Sequence, residues 1–200
     1  TWFGTVENPL LRKYNLAART RDSGGVRADV AVSEALSVGL ALDLANDDYS
    51  DSVIGLQKAR SVNGALDLAY ALSEATQVTA YLQGERLHAR QANGTPVWTA
   101  NSRDRFEVLG VGVRHAAIPD KLDVGADLST SRSASRLVVV SGTNDPGFPD
   151  ARTALDTVRL FATYKLSDTM TLTGSYAYED YSARDWHLDG VLPATVSNLL

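Results

Sequence analysis

The feature that most constrains this chain is a strict alternation of aliphatic residues with small or polar ones. In residues 36–44 every second residue is leucine or valine, and serine, glycine, alanine and aspartate stand between them. Successive side chains of an extended strand point to opposite faces, so a period of two places all the aliphatic side chains on one face. A helix would spread the same residues around its circumference. This segment is therefore predicted to be a strand with one aliphatic face.

The same alternation recurs along the chain. It is clear in residues 26–32, 66–72, 122–128, 158–166 and 170–179, and it is less regular around residues 76–90 and 103–117. About eight strands are predicted, most of them long for a soluble domain. Short connections are predicted at residues 33–35, 73–75, 119–121 and 167–169, and long ones near residues 46–58, 91–102 and 141–153. Tight turns at one end and long loops at the other are typical of outer-membrane barrels.

The predicted fold is all-β: an antiparallel up-and-down meander of about eight long strands, part of a transmembrane outer-membrane β-barrel. A soluble β-sandwich or a lipocalin-like barrel is the alternative. The hydrophobic fraction of 44% and the charged fraction of 22% are those of an ordinary folded chain, and the net charge of -5 provides no basic surface for nucleic acid. Cysteine is absent, which excludes disulfides, thiolate metal sites and covalent c-type haem attachment within these residues.

The period of two also assigns side chains to faces. The residues predicted to face lipid are Leu36, Val38, Leu40, Leu42, Leu44, Leu66, Leu68, Leu160 and Leu172. The residues predicted to line the lumen, as candidate contacts for a partner, are Asp29, Asp43, Asp67, Glu85, Arg114, Asp123, Asp127, Arg159, Lys165 and Glu179. The aromatic residues expected to form an interfacial girdle near the strand ends are Tyr49, Tyr70, Tyr164, Tyr176, Tyr178, Tyr181 and Trp186.

No pattern of catalytic or metal-binding residues stands out. His88, His115 and His187 lack the spacing of a metal pair and are interpreted as partly exposed polar residues. The acidic stretch 46–51 offers oxygen ligands for calcium, but it lacks the offsets of an EF-hand and is interpreted as a solvated loop. Ser61 could form a hydrolase pair with His88 or His115 only if the fold brought them together. No catalytic, cofactor-binding or metal site is assigned, and the chain is predicted not to be an enzyme.

Several segments resemble the MtrB/PioB family of decahaem-associated outer-membrane barrels. The segments are, in order, residues 12–21, 36–44, 46–49, 52–56, 118–125, 164–168 and 178–181, followed by Asp185 and Trp186. Each segment is short, and the resemblance depends on their collinear order over most of residues 12–200.

The resemblance implies a function for the whole barrel. The family is expected to form bacterial outer-membrane barrels of more than about twenty strands. Such a barrel sheaths a multihaem c-type cytochrome in its lumen, often with a second, extracellular cytochrome, and insulates the haems for electron transfer across the outer membrane. Haem is then carried by the partner, and no cofactor is expected in this chain. A general outer-membrane porin or transport barrel and an outer-membrane hydrolase are the alternatives.

Members of this family are several times longer than the present chain. No signal peptide is predicted in residues 1–11, and residues 197–200 do not form a terminal strand with a final aromatic residue. Residues 1–200 are therefore expected to be a single segment of a larger barrel. The segment divides into a lead-in strand or loop at 1–22, hairpin repeats at 23–185 and a truncated tail at 186–200.

Overall fold

The computed structural model of the chain describes residues 17–49, 52–94, 97–142 and 148–185. The strands are β1 (Thr20–Ala31), β2 (Leu36–Asp48), β3 (Gly55–Ser73), β4 (Thr76–Gly94), β5 (Val97–Ile118), β6 (Leu122–Ser141), β7 (Ala151–Lys165) and β8 (Thr171–Arg184). They form one antiparallel sheet in which every strand pairs with its neighbours in sequence. The predicted up-and-down meander of about eight strands is confirmed. No helix long and apolar enough to cross a membrane occurs in the ranges described above.

The sheet is a single layer with two open edges. Among the described residues, β1 and β8 each pair with one strand only, and no second sheet covers either face. Tyr49, Ile54 and Ala100 are the buried hydrophobic residues of the described part, whereas Leu40 is 52% exposed. A β-sandwich would bury one face of each of two sheets. The sandwich alternative is therefore wrong for this part of the chain, and so is a small barrel closed by these eight strands.

The strands are longer than the hydrophobic alternation predicts. β3 and β4 have 19 residues each, β5 has 22 and β6 has 20. Most of the long loop predicted at residues 91–102 is strand, since β4 and β5 pair as far as Gly94 and Val97. The connections predicted at residues 46–58 and 141–153 are also shorter than predicted, because β2 extends to Asp48 and β6 to Ser141. Both faces of these extensions carry polar residues, so the alternation that predicts a strand is lost there. The backbone nevertheless stays extended.

The short connections lie where they are predicted, at the opposite end of the sheet. They occupy residues 32–35, 74–75, 119–121 and 166–170. In the third turn Asp120 adopts a φ of 58°, a left-handed conformation that aspartate tolerates better than most residues. The amide of Lys121 donates to the carbonyl of Ile118 at 3.0 Å and closes this turn. The turns fix the register of each hairpin and therefore decide which side chains lie opposite one another.

Some predicted features lie outside the described residues. They are most of the predicted lead-in (residues 1–16), residues 50–51, 95–96 and 143–147 in the connections, and the predicted tail at 186–200 with Trp186 and His187. The described end of the lead-in already belongs to β1, which begins at Thr20.

Candidate functional site: two chemically different faces

The strand register assigns each side chain of the sheet to one of two faces. One cross-strand row contains Val30, Val38, Leu68, Ala80, Val111, Leu128, Val158 and Tyr178, one residue from each strand. The adjacent row contains Asp29, Gly39, Asp67, Tyr81, Gly110, Ser129, Thr157 and Glu179. The first row is aliphatic apart from its final tyrosine, and the second is polar, small or aromatic. We call the face of the first row the convex face and the face of the second row the concave face.

Crowding of the side chains distinguishes these faces. A Cβ atom added to Gly25 would collide with the carboxylate of Asp43, and one added to Gly125 would collide with the ring of Phe161. These glycines lie on the concave face. Gly174 lies on the convex face, and a Cβ atom there would meet nothing within 4 Å. Side chains that converge on one side and spread on the other are expected of a sheet that curves, as barrel strands do.

The convex face collects the residues predicted to face lipid. The register places Leu36, Val38, Leu40, Leu42, Leu44, Leu66, Leu68, Leu160 and Leu172 all on this face. On β3 the apolar stretch runs from Val62 to Tyr70, which is about 27 Å along the strand. With a strand tilt of about 40° its height is about 20 Å, close to the roughly 25 Å apolar band of outer-membrane barrels.

The concave face collects the residues predicted to line the lumen. Those residues are Asp29, Asp43, Asp67, Glu85, Arg114, Asp123, Asp127, Arg159, Lys165 and Glu179. Asp29 and Asp67 flank Gly39 in one row, so their carboxylates approach each other across a residue without a side chain. Lys165 forms an ion pair with the adjoining turn, where its Nζ lies 2.9 Å from Asp168 Oδ1.

A cluster around Phe161 on the concave face was not predicted from the sequence. The ring of Phe161 covers Gly125 of the neighbouring strand. The guanidinium carbons of Arg114 and Arg159 lie 5.6 and 5.8 Å from the ring centroid, within the range of cation–π attraction. Arg159 is also directly opposite Asp127. Two signals could have pointed to this cluster: an aromatic residue in the polar phase of the alternation and a glycine in the same phase of the preceding strand.

The predicted aromatic girdle is only partly present. Tyr70, Tyr164, Tyr176 and Tyr178 lie on the convex face. Tyr70 and Tyr164 stand at its turn end, where the apolar stretch finishes. Tyr181 was wrongly placed in the girdle, because the register puts it on the concave face opposite Leu155. Tyr49 was also wrongly placed, since it is only 5% exposed and its amide donates to the carbonyl of Gln57 at 2.8 Å.

The hydrolase pair considered above does not form. Ser61 lies on the concave face of β3, opposite Leu87. His88 lies on the convex face opposite Arg60, and His115 lies on the convex face as well, where its Nδ1 is 2.9 Å from Thr76 Oγ1. The sheet itself separates the hydroxyl from both imidazoles, so neither histidine can act as its base.

The acidic stretch is not arranged as a calcium loop in its described part. Asp47 and Asp48 belong to β2 and point to opposite faces. Asp47 accepts hydrogen bonds from Arg21 Nε and Nη2 at 2.6 and 2.7 Å, and Asp48 lies 3.9 Å from Lys58 Nζ. No group of three or more His, Cys, Asp or Glu side chains is placed to hold a metal ion in the described ranges. Asp51, the last residue of the stretch, lies outside them.

Comparison with known proteins finds similarity to outer-membrane barrels, the class that the two faces of this sheet indicate. Residues 2–200 match the model of the family described as "Putative outer membrane beta-barrel porin, MtrB/PioB". The chain is 30% identical over 190 residues to outer membrane protein MtrB of Shewanella baltica (strain OS185), an alignment that covers 92% of this chain and 27% of MtrB. The chain thus spans about a quarter of the length of that relative.

Two solved structures, a ferric citrate transporter and a ferric yersiniabactin uptake receptor, share the fold at low sequence identity. The ferric citrate transporter FecA superposes with a TM-score of 0.56 and 13% identity over 84% of this chain and 30% of FecA. The ferric yersiniabactin uptake receptor FyuA of Yersinia pestis superposes with a TM-score of 0.53 and 11% identity over 83% of this chain and 33% of FyuA. These two likenesses concern the fold alone. The match to the family model covers nearly the whole chain, and the chain therefore belongs to the MtrB/PioB family of outer-membrane β-barrel proteins.

Proposed function

We propose that these strands form part of the wall of a larger outer-membrane barrel that encloses a multihaem c-type cytochrome and insulates it for electron transfer across the membrane. The observation that carries the proposal is the separation of the faces. Aliphatic side chains such as Leu40 occupy the convex face, and carboxylates such as Asp29 and Asp67 occupy the concave face. The family match and the relative named outer membrane protein MtrB support the outer-membrane barrel, and the enclosed cytochrome is what the resemblance to this family implies.

The physical role of each face follows from its chemistry. In lipid every backbone amide and carbonyl must be paired within the protein, and the continuous ladder from β1 to β8 pairs them in all the inner strands. The concave face then meets the partner. Its carboxylates would attract cationic side chains of a cytochrome, whereas the cluster of Arg114, Arg159 and Phe161 offers cationic groups to carboxylates. Enclosure also keeps water away from the haems, which affects their reduction potentials.

The test is affinity capture of the intact outer-membrane protein that contains these strands. The protein is captured from detergent-solubilised outer membranes, washed with salt, and its eluate is stained for covalent haem. The expected result is a stoichiometric haem-positive band. A haem-free eluate would remove the cytochrome proposal while leaving the barrel in place.

A matched pair of variants tests the role of the concave face. Asp29→Asn with Asp67→Asn removes two carboxylates from the concave face, and Asp22→Asn with Asp180→Asn removes two from the convex face. The concave variant is expected to lose the haem-positive band at lower salt than the wild type, because fewer charges hold the partner. The convex variant should elute at the same salt as the wild type. Equal behaviour of the two variants would contradict the assignment of the partner to the concave face.

A porin is the second candidate, favoured by small residues on the concave face of β6. Ser129, Ser131, Ser133 and Ser135 line this face in succession and leave room for water. An empty barrel of this kind would conduct ions across a planar bilayer. Conductance by the protein as isolated, with no haem in the preparation, would favour the porin. A haem-loaded preparation that blocks conductance would favour the sheath.

A further inference from the structure

The convex face becomes cationic beyond its aliphatic stretch, toward the end opposite the four short turns. Arg60, His88, Arg103 and Arg136 lie directly opposite one another across β3, β4, β5 and β6. In the flanking rows Arg86 faces Arg105 and Lys58 faces Arg90. All of these side chains are exposed. We call the arginines of these rows the arginine belt: Arg60, Arg86, Arg90, Arg103, Arg105 and Arg136.

Such rows are costly unless an anion balances them. Directly opposed residues of an antiparallel pair have Cβ atoms about 5 Å apart, and like charges at that distance destabilise a sheet. Arg105 is bound by Glu107, with Arg105 Nε donating to its carboxylate at 2.8 Å. For the other members of the belt, no carboxylate of the described residues lies within ion-pair distance. The balancing charge is therefore expected from outside the sheet.

Two depressions in the convex face provide places for that charge. The first has a volume of about 500 Å³; its cationic lining is Lys58, Arg60, Arg90 and Arg103, and His88 lies among them. Asp22, Asp47 and Asp48 also border it; Asp47 is bound to Arg21 and Asp48 lies beside Lys58. The second, of about 640 Å³, is lined by Arg105, Arg132, Arg152 and Arg184 together with Glu107 and Asp150. Arg105 is bound to Glu107, Arg132 lies 2.9 Å from Asp156 and Arg152 lies 3.3 Å from Asp150, which leaves Arg184 without a carboxylate partner among the described residues. Arg103 and Arg105 stand two residues apart on β5, so the depressions adjoin.

The first row of the belt, with Arg86 and Arg105, stands at the height of the polar layer of a membrane, and the next two rows lie beyond it. On β4 the residues of the convex face are Val78, Ala80, Leu82 and Gly84, and then Arg86 and His88. The three rows of the belt contain Arg86, His88 and Arg90 of β4, which lie two, four and six residues beyond Gly84. These separations correspond to about 7, 13 and 20 Å along the strand. With the strands tilted by about 40°, the rows stand about 5–15 Å above the aliphatic stretch. Headgroups occupy roughly the first 5–8 Å beyond the hydrocarbon.

We propose that the arginine belt binds the phosphate groups of anionic lipid headgroups in the leaflet at this end of the barrel. Guanidinium groups bind phosphate through paired hydrogen bonds and accept partial dehydration more readily than ammonium groups. Lipid is the occupant, rather than a soluble protein, because the belt continues the same face and the same strands as the aliphatic stretch without a break. The proposal rests on the convex face meeting lipid and does not depend on what fills the lumen.

The first test measures binding of lipid A, a glycolipid with two phosphates, to the intact outer-membrane protein in neutral detergent. Bound lipid is counted by native mass spectrometry during a titration, and lipid A without phosphates and phosphatidylcholine serve as comparisons. Arg60→Gln with Arg103→Gln removes two guanidinium groups that line the first depression. This variant is expected to bind lipid A at least about tenfold more weakly, since hydrogen bonds between charged groups are lost.

The matched control is Arg27→Gln with Arg114→Gln, which removes the same charges from the concave face. It should retain wild-type affinity for lipid A. Equal affinity of the wild type for lipid A with and without phosphates would overturn the proposal, as would equal losses in both variants. A belt variant that keeps its lipid but loses a co-purifying protein would assign the belt to that protein instead.

A second measurement distinguishes a loss of lipid binding from misfolding by the direction in which the unfolding midpoint changes. Without anionic lipid, Arg60→Gln with Arg103→Gln should raise the unfolding midpoint of the barrel slightly, because it relieves the like-charge repulsion between Arg103 and Arg136 directly opposite it. Added lipid A should then raise the midpoint of the wild type more than that of the variant. A variant that is less stable than the wild type in both conditions by the same amount would contradict the proposal.

Discussion

An arginine at the middle of the convex face should destabilise the barrel, and the cost should fall with distance from the middle. Leu40 lies at the centre of the aliphatic stretch of β2, between Ala28 of β1 and Leu66 of β3. Leu44 lies four residues further on the same face, about 13 Å along the strand and about 10 Å along the membrane normal at a tilt of about 40°. The half-height of a roughly 25 Å apolar band is about 12 Å. Leu40 is therefore near the midplane, and Leu44 is near the interface.

This geometry gives different costs for the same substitution. Leu40→Arg is expected to lower the free energy of unfolding by about 2–4 kcal/mol, and Leu44→Arg by about 0–1 kcal/mol. The assay is urea unfolding of the intact barrel in phospholipid vesicles, followed by tryptophan fluorescence. Asp43→Asn, on the concave face between these two positions, is the control and should cost less than Leu40→Arg. Equal costs at Leu40 and Leu44, or the largest cost at Asp43, would refute the assignment of the convex face to lipid.

Two further predictions concern packing and charge. Gly125→Ala should destabilise the barrel by about 1–3 kcal/mol in the same assay, because its methyl group would displace the ring of Phe161. Gly174→Ala, which meets open space, should be neutral or slightly stabilising, and equal costs at the two glycines would contradict the crowding of the concave face. The exposed pair of Arg132 Nη1 and Asp156 Oδ1, 2.9 Å apart, should show only a weak coupling in a double-mutant cycle, and a weaker one at high salt, because water and ions screen it. A strong coupling that is insensitive to salt would show that the pair is removed from water.

The division of residues between the two faces could be predicted from sequence because it is a local property. Leu40 and Asp43 are an odd number of residues apart in one strand, so they point to opposite faces whatever the strand pairs with. The short turns were also predicted, since proline, aspartate and glutamate interrupt the alternation at residues 119–121 and 73–75. Neither prediction requires knowledge of the neighbouring strands.

The ends of the strands could not be predicted in the same way. Alternation of hydrophobicity shows a strand only where one of its faces meets an apolar environment. Lys58 and Arg60 on one face of β3 and Asn63 on the other are polar, so the alternation predicts a loop where this strand begins. Backbone pairing with β4, which no single segment encodes, keeps it extended.

Contacts between strands were decided by the tertiary structure alone. Phe161 covers Gly125, and Ser61 lies across the sheet from His88, because the turns set how far each strand is displaced along its neighbour. Arg60, Arg103 and Arg136 are far apart in the sequence, and only the register of β3 to β6 brings them into one row. The sequence by itself determined which side of its own strand each residue occupies, since the period of an extended backbone is intrinsic. Pairing between strands decided which residues meet, because that depends on hydrogen bonds between distant segments.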